Sequence, residues 1–504
     1  MTTRPLSRTA DIIGWVSWLL LAGCTVGPDY KGPPRMVADG TSSFARAKDV
    51  QVVPGPMENQ WWVALHAPEL DHLEAAALAA SPDLQAATAR LREARAQLHA
   101  QQADLLPTTS TSALMLHTHG GSGLLGDTAD TAASATGAAA ASGAQGSAAL
   151  AELGSDLDLY DVGFDATWEI DLFGSQRRAV ESAAASAQGR QADLANTQVS
   201  LTADVAQAYV RLRDVQHRMA LSRADAALQG RVLDLTRHRQ AGGTASALDV
   251  ERLNTQLQQT RADLVPMQAQ VEEQLNRLAI LTGRLPGDLD AELAPAAALP
   301  VPPEQVAISD PASLLRRRPD VRAAERQIAS QNARIGEHVA DYFPKLELLG
   351  NLGFASTDIG QVFIGNSFAA VAAPLLQWKP FDFGRTHASV EQARAGRDEA
   401  VANYRSVVLK ALDDAETGLS RYGIQRQDVV GLQRVMLSAD HAAALMQQRY
   451  EGGTATLIDS LDTERQRLHA EQALAQAEAD MTQDFIGLQK SLGLGWQPQD
   501  PTKI

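Results

Sequence analysis

Cysteine is all but missing. Cys24 is the single one among 504 residues, so no disulfide framework can form within the chain even in an oxidising compartment. Aromatic residues make up only 5%, and the apolar residues fall in stripes, which points to helices over modest cores. No run of 18 consecutive apolar residues follows residue 24, so no later helix can span a bilayer by itself. A formal charge of −16 leaves no basic face for phosphates, which excludes a nucleic-acid partner. Gly-rich phosphate loops, Ser-His-Asp arrangements and Cys-x-x-Cys pairs are absent, and the expectation is a non-enzyme without a cofactor. His117-Thr118-His119 has metal-like spacing but no nearby third ligand. Glu169 and Asp171 fall on one side of one predicted strand, with no base partner.

What is present is written twice. Helical patterns begin at Ser81-Pro82-Asp83 and at Arg318-Pro319-Asp320, and each runs to a proline 25 residues after its first, Pro107 or Pro344. A strand-like stretch closes on Phe173-Gly174 and again on Phe383-Gly384. A long helical segment follows and breaks at Gly242-Gly243-Thr244 and at Gly452-Gly453-Thr454; from Gly174 to Gly242 and from Gly384 to Gly452 the interval is 68 residues. Matched spacing predicts an internal two-fold repeat and a pseudo-symmetric object.

Between Gly174 and Ala241 there is no proline, and Leu201, Val205, Ala208, Leu212, Val215 and Met219 step along it as a coiled-coil seam. After the break the register continues through Leu253, Leu257, Leu264, Met267, Val271 and Leu278, with Thr260 and Gln274 as polar interruptions. In the second half Val401, Tyr404, Val408, Leu412, Ala415, Leu419 and Tyr422 form the corresponding strip, answered by Met481, Phe485, Leu488 and Leu492. A helix of nearly 70 residues is about 100 Å long, wider than a compact core, so such helices must pair side by side and turn at the Gly-Gly-Thr sites. Phe164, Ala166, Trp168, Ile170 and Leu172 alternate with Asp165, Thr167, Glu169 and Asp171, which fits a barrel strand with lipid on one side and water on the other. Leu346 to Phe354 begin the matching stretch and Phe368 to Phe383 return from it. Two hairpins give four strands, whereas a closed barrel needs about eight. The chain must therefore assemble.

The N-terminus reads as an export signal: Arg4 and Arg8, then the apolar stretch Ile12 to Leu21, then small residues. Leu21-Ala22-Gly23-Cys24 resembles the bacterial lipobox, in which the cysteine becomes the lipidated first residue, and Thr25 rather than Asp in the next place implies the outer membrane. The predicted division is 1–23 signal, 24–60 extended lipidated segment, 61–284 first repeat with 61–106 helical, 285–311 proline-rich linker, 312–495 second repeat and 496–504 tail. Residues 119–156, rich in Gly, Ala, Ser and Thr, have no counterpart in the second half and belong in an exposed hairpin loop.

Together these marks resemble the outer membrane factors, the TolC-like and OprM-like exit channels, in the lipoprotein branch called NodT-type. The residues carrying the resemblance are Leu21 to Cys24, Thr25 to Tyr30, Trp168 to Gly174, Arg316 to Arg322 and Tyr342-Phe343-Pro344. The resemblance implies a mainly α chain with a membrane β part: a homotrimer with a twelve-stranded β-barrel in the outer membrane lipid and a trimeric α-barrel of long antiparallel helices. It implies a periplasmic adaptor and an inner-membrane pump of RND type as partners, and a covalent lipid, palmitate among its acyl chains, on Cys24. The tips Gly242, Gly243, Thr244, Gly452, Gly453 and Thr454 would meet the adaptor. Glycine there can end a helix in the left-handed conformation and threonine can cap the next.

Asp459 and Asp462 stand three residues apart just beyond the second tip, with Asp249 at the place matching Asp459. Taken alone they read equally as acids favoured near a helix N-terminus. The resemblance implies a periplasmic gate closed by such carboxylates and by Tyr450. Ala455 stands where some relatives carry a bridging arginine, so a different or weaker lock is expected. Competing readings are a type I secretion exit channel and a periplasmic adaptor lipoprotein; adaptors carry one helical hairpin, whereas two are read here.

Overall fold

The computed structural model describes residues 25–36, 44–46, 52–53, 58–119, 156–308 and 310–496. The predicted signal, Cys24, the body of the insertion and the tail from 497 lie outside the described residues. In chain order the elements are β1 (Val52–Val53), a 3-10 turn (Trp61–Leu65), α1 (Pro68–Ala80), α2 (Pro82–Ala103), β2 (Thr108–His119), β3 (Asp156–Ile170), α3 (Ser175–Ala241) and α4 (Ala247–Leu281). Then come α5 (Asp290–Leu293), β4 (Val306–Ala307), α6 (Pro311–Arg317), α7 (Pro319–Ala340), β5 (Lys345–Ser356), β6 (Phe368–Gln377), α8 (Arg385–Glu451) and α9 (Leu457–Ser491). The long helices have equal lengths, 67 residues for α3 and α8 and 35 for α4 and α9.

Several expectations need correction. Residues 61–106 are not one helix: Ser81 is extended at ψ 127° because the proline after it disfavours the helical conformation, and Arg318 before Pro319 does the same at ψ 123°. Pro266 sits within α4, whose helix continues past it on an exposed face. The last strand ends at Gln377 rather than Phe383. In the second seam the fully buried step is Ala411, with Leu412 only half-buried, because Ala411 lies seven residues after Tyr404 and keeps the 4-3-4 spacing from Tyr404 through Val408 to Ala415.

Two compact units can be separated. The first is Met1–Gly32, Glu93–Ala187 and Arg326–Val401. It holds an antiparallel sheet in the order β2-β3-β5-β6. Register puts Val162, Phe354 and Phe368 on one face, followed by Phe164 with Leu352 and by Trp168 with Leu348. That apolar face is bare: Phe164 is 44% and Phe368 52% exposed. The opposite face carries Asp165, which accepts from Ser112 at 3.0 Å and Asn351 at 2.8 Å, together with Glu169 and its cross-strand partner Glu347. His117 Nδ1 is within hydrogen-bond reach of Asp158 Oδ1 across β2 and β3.

The same unit holds down the start of the described chain. Gly27, at φ +91°, lies so close to α7 that a Cβ there would come within 2.4 Å of Gly336 Cα. Arg178, 4% exposed, donates to Val26 O, Gly27 O and Asp29, and Asn332 donates to Pro28 O at 2.7 Å. Val26 N donates to Phe173 O, and the Phe173 ring stacks on Phe343 at 4.5 Å.

The second unit is Pro33–Arg92, Gln188–Glu325 and Ala402–Ile504. Its core runs along the predicted seam, with Leu201, Val205, Ala208, Leu212, Val215 and Met219 all buried, and meets Tyr422, Met481, Phe485, Leu488 and Leu492. Each fully buried leucine or phenylalanine contributes about 1.5–3 kcal/mol. Trp61 closes one end edge-on to Trp62 and Phe485. β1 pairs with β4 in parallel, and the backbone amides of Ala45 and Arg46 donate to Glu416.

Candidate functional site

The two Gly-Gly-Thr turns belong to the helical unit and are built alike. In the first, Gly243 adopts φ +74°, its N–H donates to Gln240 O, and Thr244 N donates to Arg239 O at 2.8 Å. In the second, Gly453 is at φ +70°, with Gly453 N on Tyr450 O and Thr454 N on Arg449 O at 2.8 Å. This is the Schellman closure, which needs a residue at ease in the left-handed region. Gly242 and Gly452 end the helices through His238 O and Gln448 O.

The threonines do not cap the following helix. Thr244 Oγ1 and Thr454 Oγ1 each donate back to the arginine carbonyl of the helix just ended. The N-caps are Ser246 and Thr456, two residues later. Each accepts from an aspartate amide, Asp249 N at 3.1 Å and Asp459 N at 3.2 Å, and each carboxylate accepts in return from the cap N–H at 3.1 Å. Both are complete capping boxes. The Ser-x-x-Asp and Thr-x-x-Asp spacing was the available signal for them.

The carboxylates therefore have defined local tasks. Asp249 and Asp459 are held below the usual aspartate range, chiefly by the cap hydroxyl hydrogen bond and then the cap amide; for Asp459 the Arg449 and Arg239 charges add to this. Both stay ionised in mild acid. Asp462 does not share those bonds. It accepts from Arg465 Nη1 at 3.1 Å and Gln466 Nε2 at 3.2 Å on its own helix. Tyr450 is 37% exposed in the last turn of α8, its carbonyl bound by Gly453. The structure thus places Asp249 and Asp459 at equivalent first turns and Asp462 one turn further on. It does not join Asp459 to Asp462 by a hydrogen bond.

Arg465 and Asp225 went unread in the sequence. Arg465 Nε lies 3.6 Å from Asp225 Oδ1, on α3 of the other hairpin. Around them Leu221, Leu228 and Val232 pack with Leu461 and Leu468, so the hairpins meet on an apolar seam. No group of three metal-ligating side chains occurs among the described residues. No described helix is long and apolar enough to cross a membrane.

The sequence profile of the family described as outer membrane efflux protein matches residues 73–284 and 311–494. The chain is 31% identical over 447 residues to the pyoverdine export outer membrane protein OpmQ of Pseudomonas aeruginosa, covering 87% of this chain and 88% of that one. It is 28% identical over 483 residues to nodulation protein T of Rhizobium leguminosarum bv. trifolii, covering 95% and 96%. Among solved structures it is similar to the outer-membrane channel OprN, with a TM-score of 0.81 and 34% identity over 94% of this chain and 100% of that chain.

Proposed function

The chain belongs to the outer membrane efflux protein family, and from that membership we propose that it is the exit channel of a tripartite efflux system, a homotrimer fed by an inner-membrane pump through a periplasmic adaptor. The observation that carries this reading is the sheet. Its apolar face is exposed, its other face is polar, and β2 and β6 each have only one partner strand among the described residues. Four strands cannot close. Three copies give twelve, turn the apolar face to lipid and leave Asp165, Glu169, Glu347 and Asn351 facing water. At ~3.3 Å per residue, Tyr160 to Ile170 runs roughly 33 Å, and a ~40° tilt reduces this to about 25 Å, the height of an outer-membrane apolar band. Trp168 and Trp378 lie toward one end of the strands with their N–H groups on Leu105 O and Tyr342 O, as interfacial tryptophans require.

Conduction is passive, and selection of cargo falls to the pump. Small-molecule cargo follows the relative named for pyoverdine export, and an RND-type pump is part of the proposed assembly. A lipid on Cys24 is part of the proposed anchoring; Thr25, the first described residue, packs on Gly174 at the junction of β3 and α3. Gly242, Gly243, Thr244, Gly452, Gly453 and Thr454 form the tips that meet the adaptor. The gate is lined by Asp459 and Asp462, with Asp249 and Tyr450 beside it. In a trimer, Asp459 and Asp462 supply six carboxylates around one opening, a constriction that favours cations. The matching lengths of α3 with α8 and α4 with α9 support an internal two-fold repeat, which lets three chains make a nearly six-fold wall.

The test is single-channel recording of purified protein in planar bilayers. Asp459→Asn/Asp462→Asn removes both charges while the asparagine at 459 can still accept from the Thr456 amide. Conductance is expected to rise and cation preference to fall. Wild-type protein that opens no pore rejects the channel; an unchanged double variant rejects the gate.

A further inference from the structure

The loop joining β5 to β6 is not built like a loop made for water. From Ile359 to Trp378 the sequence carries no charged residue, and Asp358 and Lys379 flank the run. Two short 3-10 turns, Ile359–Gln361 and Gly365–Ser367, close the loop on itself. Gln361 N donates to Asp358 O at 3.0 Å, Ile364 N to Gln361 O at 3.1 Å and Ser367 N to Ile364 O at 2.9 Å. Polar side chains are spent on the same backbone: Asp358 Oδ1 accepts from Gly360 N at 2.9 Å, and Ser367 Oγ donates to Gln361 O at 2.8 Å. The apolar side chains point out instead. Ile359 is 68% and Phe363 74% exposed, and Ile364 is exposed beside them. Water favours the reverse arrangement.

The position of the loop decides what covers it. Phe363 packs edge-on against Phe354 at 5.8 Å, and Phe354 meets Phe368 at 5.5 Å. Phe354 belongs to β5, which has a strand on either side, and shares the apolar face with Val162. Phe363 therefore extends that face and not the open edge of β6. On the neighbouring hairpin the same face turns polar just beyond Tyr160, where His117 meets Asp158. We propose that Ile359, Phe363 and Ile364, with Phe354 and Phe368 behind them, form a lipid-binding collar at the boundary between headgroups and acyl chains of the outer leaflet. The proposal rests on the channel reading, which turns the apolar face to lipid. The loop cannot lie deeper, because irregular backbone exposed to hydrocarbon leaves polar groups without partners. At the boundary the rings and aliphatic chains enter the acyl region while Asn366 and the free carbonyls meet headgroups and water. Trp168 and Trp378 stand at the other end of the strands, so the sheet is gripped at both boundaries and its height in the membrane is fixed.

A reporter in the loop of the full chain tests this. Phe363→Cys, labelled with a nitrobenzoxadiazole fluorophore, is reconstituted in phosphatidylcholine vesicles, and wild-type protein taken through the same labelling gives the background from Cys24, the single native cysteine. Lipid carrying a nitroxide near its headgroup is expected to quench the label roughly twofold, with weaker quenching from a nitroxide near the bilayer centre and little from aqueous iodide. Ile359→Cys and Ile364→Cys are expected to behave alike, so the result does not hang on one variant that folds poorly. A label open to iodide and untouched by nitroxide puts the loop in water and overturns the collar. A label shielded from both is covered by protein, such as a second copy of this chain, and overturns it as well. Planar-bilayer recording of the same preparations separates the two readings. Conducting pores with a watery or protein-covered loop leave the channel standing and remove the collar; protein that opens no pore removes both.

Discussion

Arg213→Ala is expected to lower the stability of the helical unit by about 2–4 kcal/mol, the cost of emptying the space of a fully buried side chain and stripping its hydrogen bonds. The Arg213 guanidinium is fully buried on α3. It pairs with Glu69 of α1 and donates to Leu293 O at 3.1 Å, Pro295 O at 2.8 Å and Gln216 at 2.7 Å. It thereby fastens the first short helix and the linker after α5 onto the long helix. Tyr209 supports the cluster: it donates to Glu69 at 2.7 Å, and burial pushes its phenol up to about 12, so the proton stays on. Alanine would leave Pro295 O without this donor, while Leu293 O keeps Gln216 Nε2 at 3.0 Å, and would open a cavity the length of an arginine. Glu69→Gln is expected to cost less, about 1–2 kcal/mol, because the Glu69 side chain is 40% exposed and the guanidinium keeps its carbonyl acceptors. Denaturant unfolding of the detergent-solubilised protein, with outer-membrane abundance in parallel, measures both. An Arg213→Ala variant as stable as the Glu69→Gln variant would remove the cluster from any account of this fold.

How much of this could be read from residues alone differs by scale. The seam was legible because Leu201 to Met219 repeat the coiled-coil period, and every one of them is buried. The sheet was legible where alternation was strict, from Phe164 to Ile170. The turns were legible as turns from their glycines, but the capping went to the wrong side: Thr244 and Thr454 close the helix behind them, and Ser246 and Thr456 start the next. A hydroxyl near a break can serve either helix, and only the aspartate three residues after the cap decides. Asp225 with Arg465, and Arg213 with Glu69, were beyond reach for a plainer reason. Charged residues on a striped helix read as its solvated face until the packing of a distant segment buries them. The site aspartates sit between these cases, found by position and given their hydrogen bonds only by the coordinates.

Glu74 shows what such burial does to an unpaired acid. It is fully buried on α1, and neither carboxylate oxygen has a hydrogen-bond partner. Burial first, and the neighbouring Asp71 charge second, raise its pKa well above the ordinary 4.5. A folded-state value above the unfolded one means that the native protein holds a proton the unfolded chain releases. Its contribution is complete below about pH 4.5 and is lost as pH rises toward the folded value. Over that window Glu74 should subtract up to ~1.4 kcal/mol of stability per pH unit. Glu74→Gln, which cannot ionise, should flatten this part of the stability–pH curve. Glu74→Leu should stabilise the protein at pH 7 by roughly 1–3 kcal/mol, because no polar group is then buried without a partner. Melting curves of the three proteins between pH 5 and 8 decide the matter: parallel wild-type and Glu74→Gln curves would mean the carboxyl is solvated in the folded protein. Packing alone would not choose a buried carboxyl without a partner. The cost of Glu74 therefore also measures how far the core around α1 departs from what packing alone would choose.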